Sequence, residues 1–195
     1  MKKLIYVMAV SLSALAFQAC NGGNKDAKET ADSLNMSKDT SSSTAATGGI
    51  AVDEGDSKFA TQAAVSGMAE VELGKLALEK GTSQQVKDFA GMMVKDHGMA
   101  NTELMTLAQQ KNITLPSTVD DEHKKKMDDL SKKTGADFDK AYVDAMVSGH
   151  KQTLKLMEDE ARDGKDADLK AFASKTAPVV QGHLTMINKI DDSMK

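Results

Sequence analysis

TSQQVKDFAGMMVKDHGMANTELMTLAQQK, residues 82–111, is the stretch that decides the fold. Apolar and small residues recur along it at Val86, Ala90, Met93, Ala100, Leu104 and Leu107, the three-and-four spacing of one face of an α-helix. Thr82-Ser83 can cap its start, and Leu115-Pro116 marks the point beyond which it cannot continue. One polar residue, His97, interrupts the apolar face and so points to where a core should lie.

The same period extends outward in both directions. Upstream, a helix is expected from about Asp56 to Lys80, stopped by Gly81. Downstream, a short helix is expected from about Val119 to Lys133, a long one from Ala136 to Asp163 ending at Gly164, and another from about Asp166 to Asp191. Pro178 sits inside the last of these, where it removes a hydrogen bond and predicts a kink. Composition agrees: 4% aromatic residues, no Trp and 2 Pro suit helices cored by Ala, Leu, Val and Met rather than strands.

The connections set the topology. Tight turns at Gly81 and Gly164 make two antiparallel hairpins. About 24 residues with a helix of their own separate those hairpins, enough to run back along the bundle. One long crossover of that kind marks an all-α, ferritin-like four-helix bundle rather than an up-and-down one.

The stretches FATQAAVSGMAEVELGKLALEKG, FAGMMVKDHGMANTEL, FDKAYVDAMVSGHKQTL and AFASKTAPVVQGHL carry a resemblance. Together they resemble a family of exported bacterial ferritin-like proteins described as predicted outer membrane proteins of unknown function. The resemblance covers Phe59 to about Ile190 and implies fold and location without an activity.

The N-terminus has a different character. Lys2 and Lys3 precede an apolar run from Leu4 to Phe17, followed by Gln18, Ala19 and Cys20, the three-part form of an export signal. The run is about 14 residues, short of the roughly 20 that cross a bilayer. Cys20 is the only cysteine, so it has no intramolecular partner, and Ala19-Cys20 resembles the site at which bacterial lipoproteins are cleaved and lipidated. Phe17 and Gln18 depart from that pattern, and cleavage after Ala16 is the alternative. Residues 21–53 are rich in Asn, Gly, Ser, Thr, Asp and Lys, a composition that predicts a disordered linker. The expected organisation is a signal over 1–20, a linker over 21–53 and a bundle over 54–195. The implied location is the cell envelope, as an outer-membrane lipoprotein facing the periplasm or the cell surface.

Four polar residues fall on the inward seams. Glu70 follows Phe59 and Ala63, His97 follows Met93, His150 follows Val143 and Met146, and His183 follows Phe172 and Val180. Counted from the first tight turn at 1.5 Å per residue, they lie within about 12 Å of one another in height. A di-iron centre is disfavoured: it needs Glu-x-x-His on two helices, and Val94, Val147 and Val180 stand three residues before the histidines. Three imidazoles and a carboxylate suit one zinc or similar divalent ion, with Asp96, Tyr142 or Asp144 behind them. Met93, Met146 and Met186 on neighbouring positions add a copper option, although such methionines mostly fill gaps. A hydrogen-bonded layer with no metal is the competing reading. His123, in DDEHKKKMDD, reads as solvated.

A formal net charge of −4 with dispersed lysines leaves no basic surface for nucleic acid. No phosphate loop or Gly-x-Ser-x-Gly motif is present, so no enzyme class is indicated. Two functions follow. One is a non-catalytic protein, anchored in the membrane by lipid, that presents a surface to an unknown envelope protein or acts under stress. The other is a mononuclear metal-binding or redox protein built on the Glu/His cluster.

Overall fold

The computed structural model describes residues 26–38 and 53–195. The described residues form six helices and no strand: α1 (Ala27–Lys38), α2 (Glu54–Lys80), α3 (Gln84–Gln110), α4 (Asp121–Ser131), α5 (Gly135–Asp163) and α6 (Ala167–Ser193). The four long helices and the short one between them thus lie close to their expected bounds. None of the described helices is long and apolar enough to cross a membrane. The expected signal segment and Cys20 lie outside the described residues.

Side-chain caps define most helix starts. Asp53 accepts from the Gly55 N–H, Asp120 from that of His123, and Asp166 from those of Asp168 and Leu169. α3 and α5 are the exceptions among the described helices, because neither Ser83 nor Thr134 makes a side-chain cap. The turn before α3 is held from another helix: the Asp139 carboxylate of α5 accepts the Thr82 and Ser83 N–H groups and the Thr82 hydroxyl. α6 runs as one helix through Pro178.

Two polar clasps fix the relative directions of the hairpins. Asp139, near the start of α5, grips the α2–α3 turn. At the opposite end Asp56, in the first turn of α2, accepts the Lys165 and Asp166 N–H groups in the α5–α6 turn, at 2.9 and 2.7 Å. α5 therefore runs antiparallel to α2 and parallel to α3, as a long crossover requires. α2 packs on α3 and α5, and α6 packs on α5 and α3.

The apolar core comes in two parts. One contains Leu73, Val86, Phe89, Met93, Phe138, Tyr142, Met146 and Ile187. The other contains Phe59, Ala63, Leu104, Met157, Leu169 and Phe172. On each of the four long helices, the residues between these two groups include a buried polar side chain: Glu70, His97, His150 or His183.

The expectation of a disordered linker over 21–53 needs correction at α1, Ala27–Lys38, which is a helix seated on the bundle. Asn35 donates to the Thr114 carbonyl at 2.9 Å and accepts from the Thr114 N–H at 2.7 Å. The Thr61 hydroxyl donates to Asp32, and Lys38 donates to the Asn112 carbonyl. Polar anchors rather than an apolar stripe seat this helix, since Leu34 and Met36 are exposed. The rest of that stretch lies outside the described residues. His123 is also corrected: its ring is largely buried, with Nδ1 2.6 Å from Asp120 Oδ1.

Candidate metal centre

The middle layer gathers one residue from each long helix. Ring centroids of His97 and His150 are 5.5 Å apart, those of His97 and His183 5.3 Å, and those of His150 and His183 5.6 Å. One ring nitrogen from each histidine lies within 4.8 Å of one from the other two. All three side chains are buried, His150 completely. Phe89 packs edge-on or tilted against His150 and His183, so one wall of the layer is aromatic.

Each imidazole is held by one nitrogen only. His150 Nδ1 faces the Met146 carbonyl at 2.9 Å, with Glu70 Oε1 farther off at 3.7 Å, so the carbonyl takes its hydrogen. His183 Nε2 faces Asp96 Oδ2 at 3.1 Å. His97 Nδ1 lies 2.8 Å from Glu70 Oε2, an ion-pair contact. The Thr153 hydroxyl donates to the other Glu70 oxygen at 3.3 Å.

Carbonyl and carboxylate oxygens can only accept. The nitrogen facing each of them therefore carries the hydrogen, and in a neutral ring the opposite nitrogen carries a lone pair. Those opposite atoms are His97 Nε2, His150 Nε2 and His183 Nδ1, and all three are buried without a hydrogen-bond partner among the described residues. Metal-binding histidines show the same division, one nitrogen free and the other tied to a carboxylate or carbonyl.

The electrostatics separate the three rings. Burial pulls the His150 and His183 imidazoles below their ordinary range, outweighing the neighbouring carboxylates, so both stay neutral. Burial also disfavours charge on His97, but the Glu70 carboxylate prevails and holds it above its usual value. Glu70 in turn is buried, yet His97 and His150 keep its carboxyl below the ordinary range. Burial and Glu70 push the Tyr142 hydroxyl upward.

Other expected members are placed less centrally. Asp96 is where the sequence reading put it, behind a histidine, although the ring it holds is His183 of another helix. Tyr142 is buried against Phe89 and Phe138 with its hydroxyl unpartnered. Asp144 is corrected: it is an exposed residue paired with Lys140, because it lies six positions before His150 and so on another face. Met186 is also corrected, being 44% exposed, whereas Met93 and Met146 are buried in the core. The sequence reading missed Thr153, although its place three residues after His150 puts it on the same seam. The Met146 carbonyl carries no sequence signal.

Residues 39–190 match a family described as a domain of unknown function, DUF4142, and the chain belongs to that family. No curated protein gives a significant match. Among solved structures, a DUF305 fragment from Deinococcus radiodurans is similar at 10% identity, with a TM-score of 0.65 over 73% of this chain and 98% of that one. CopM in its Cu(I)-bound form is similar at 13% identity and a TM-score of 0.60, over 71% of this chain and 96% of that one. CopM in its Cu(II)-bound form gives 14% and 0.62, over 72% and 97%. At these identities the likeness is one of fold.

Proposed function

We propose that this protein is a non-catalytic metal carrier that holds one copper ion through His97 Nε2, His150 Nε2 and His183 Nδ1. The observation that carries the reading is the set of three converging, buried ring nitrogens with no hydrogen-bond partner among the described residues, each on a ring whose other nitrogen already faces an oxygen. A hydrogen-bonded layer without metal would satisfy those atoms, and leaving each buried and unpaired costs about 1–3 kcal/mol. Bonds of 2.0–2.1 Å to one ion would place the nitrogens about 3.5 Å apart, a modest contraction from the observed separation. Three imidazoles accept copper or zinc, and copper stands higher in the general affinity order. The fold shared with a protein solved with Cu(I) and with Cu(II) supports that choice. A cavity of about 10 Å³ beside Glu70 and His97, at the edge of the triad, has room for about one water.

The chain without its signal, purified with no histidine tag, should take up close to one equivalent of Cu(I) by elemental analysis. His97→Ala, His150→Ala and His183→Ala should each abolish uptake, and His123→Ala should not. Less than about a tenth of an equivalent in the unaltered chain, with copper, zinc or iron supplied, would remove the reading.

The sequence supports a location as well. We propose that Cys20 is lipidated and anchors the protein in the envelope, where the copper is exchanged with a partner protein. Metabolic labelling with an alkyne-bearing fatty acid should tag the wild-type chain and leave Cys20→Ser unlabelled; equal labelling of both would sink the anchor.

A further inference from the structure

A buried triad needs a way in, and the space between α2 and α3 offers one. On the outside lies a surface cavity of about 440 Å³, with Met68 of α2 and Met105 of α3 in its lining and the loop to Pro116 at one side. On the inside lies the cavity of about 10 Å³ bounded by Glu70, His97 and Thr153. Asn101 lines both. The inner cavity meets the triad at His97, its lining including neither His150 nor His183, so a cation entering here would reach His97 and Glu70 first.

The place of Asn101 depends on a missing side chain. A Cβ on Gly67 would lie 2.0 Å from Asn101 Oδ1 and 3.0 Å from its Cγ, so the carboxamide occupies the notch that glycine leaves in α2. Among the described residues no hydrogen bond ties that carboxamide down, and Asn101 is only half-buried. Its hold is steric, and rotation about χ1 would join the two cavities without moving either helix. The opposite side of the layer differs. There a cavity of about 320 Å³ between α3 and α6 has Phe89 in its lining, and that ring, 1% exposed, stands against His150 and His183.

We infer that Asn101 is the gate between solvent and the histidine triad, swinging from the Gly67 notch to admit a single cation past the Met68 and Met105 thioethers. The inference rests on the copper reading above. Thioethers at the mouth suit a soft cation and match a site for Cu(I).

The test is kinetic. Cu(I) held by a coloured chelator would be mixed with the metal-free chain, and transfer followed by the loss of colour; excess chelator added to the loaded chain would give the release rate. Asn101→Ala should raise both rates by about tenfold and leave the ratio of loaded to free protein within about twofold of wild type, since a gate alters the barrier and not the end states. Asn101→Leu, which plugs the notch with an apolar group of similar size, should slow both. Unchanged rates in both variants, with copper still bound, would overturn the gate and leave the copper site standing. Failure of the wild-type chain to take copper at equilibrium would remove both. A changed equilibrium with unchanged release would make Asn101 a contributor to the site instead, and would also overturn the gate.

Discussion

Among the described residues, Glu70 is the one carboxylate that approaches two rings of the histidine layer, 2.8 Å from His97 and 3.7 Å from His150. Its charge favours a proton on His97 over the other two rings, so metal would displace a proton from Nε2 while Nδ1 stays beside the Glu70 carboxylate. Glu70→Gln preserves the volume and removes the charge. It should lower copper affinity by about 10–100-fold, the usual cost of losing a partner behind a ligand, as measured by competition with a chelator. Asp144→Asn should leave affinity unchanged, because that carboxylate faces solvent beside Lys140. The three histidines were legible in the sequence because each interrupts an apolar seam of period 3.6, and one layer is the only place where four such interruptions can be satisfied together. The partners behind them were less legible. Asp96 serves a histidine on another helix, the Met146 carbonyl belongs to the backbone, and the Gly67–Asn101 notch depends on an interhelical distance that no single-chain pattern encodes.

At the scale of elements, the two ends of the bundle are held by buried carboxylates. Glu160, in the last turns of α5, is 7% exposed, and its Oε1 has no partner. Burial, with Asp56 of α2 and Asp166 at the head of α6 added to it, pushes this carboxyl up to about 7, against the weaker pull of Lys170. The native state then keeps a proton that the unfolded chain has already released, so this group's contribution to stability is complete below about pH 4.5 and is lost as pH rises toward 7. Glu160→Gln should match wild type near pH 4 and exceed it near pH 8 by up to about 3 kcal/mol, read as a higher Tm in thermal scans. Equal Tm values at both pH values would show that the carboxyl titrates normally. α1 is a second case. Asn35→Ala removes both bonds to Thr114 and should release Ala27–Lys38, seen as loss of amide protection there with the four long helices unchanged. Hydrophobic periodicity found those four because they bury stripes; it missed α1 because Ala31 and Asn35 are the residues it buries.

For the whole molecule, the layer couples folding to ligand. Three unpartnered nitrogens weigh against the metal-free fold, and a ligand that binds only the folded state returns about 2.7 kcal/mol at a hundred times its dissociation constant. Copper should therefore raise the Tm of the wild-type chain by several degrees in a concentration-dependent way. His150→Leu together with His183→Leu should give a chain more stable than the metal-free wild type and indifferent to copper. A Tm that ignores copper in the wild-type chain would count against the site. The topology behind this coupling was readable from the length of one connection, since only a crossover long enough to span the bundle brings α3 and α5 parallel.

Were Cys20 lipidated as proposed, the helix that begins at Ala27 would also set how far from a bilayer this protein stands. With an acylated residue at position 20, only 21–26 would separate the fatty chains from the first turn fixed to the bundle, a reach of at most about 25 Å at full extension. A thirty-residue leash would let the domain roam and sample any orientation; this one would moor it close to the headgroups, presenting the same side to whatever docks there.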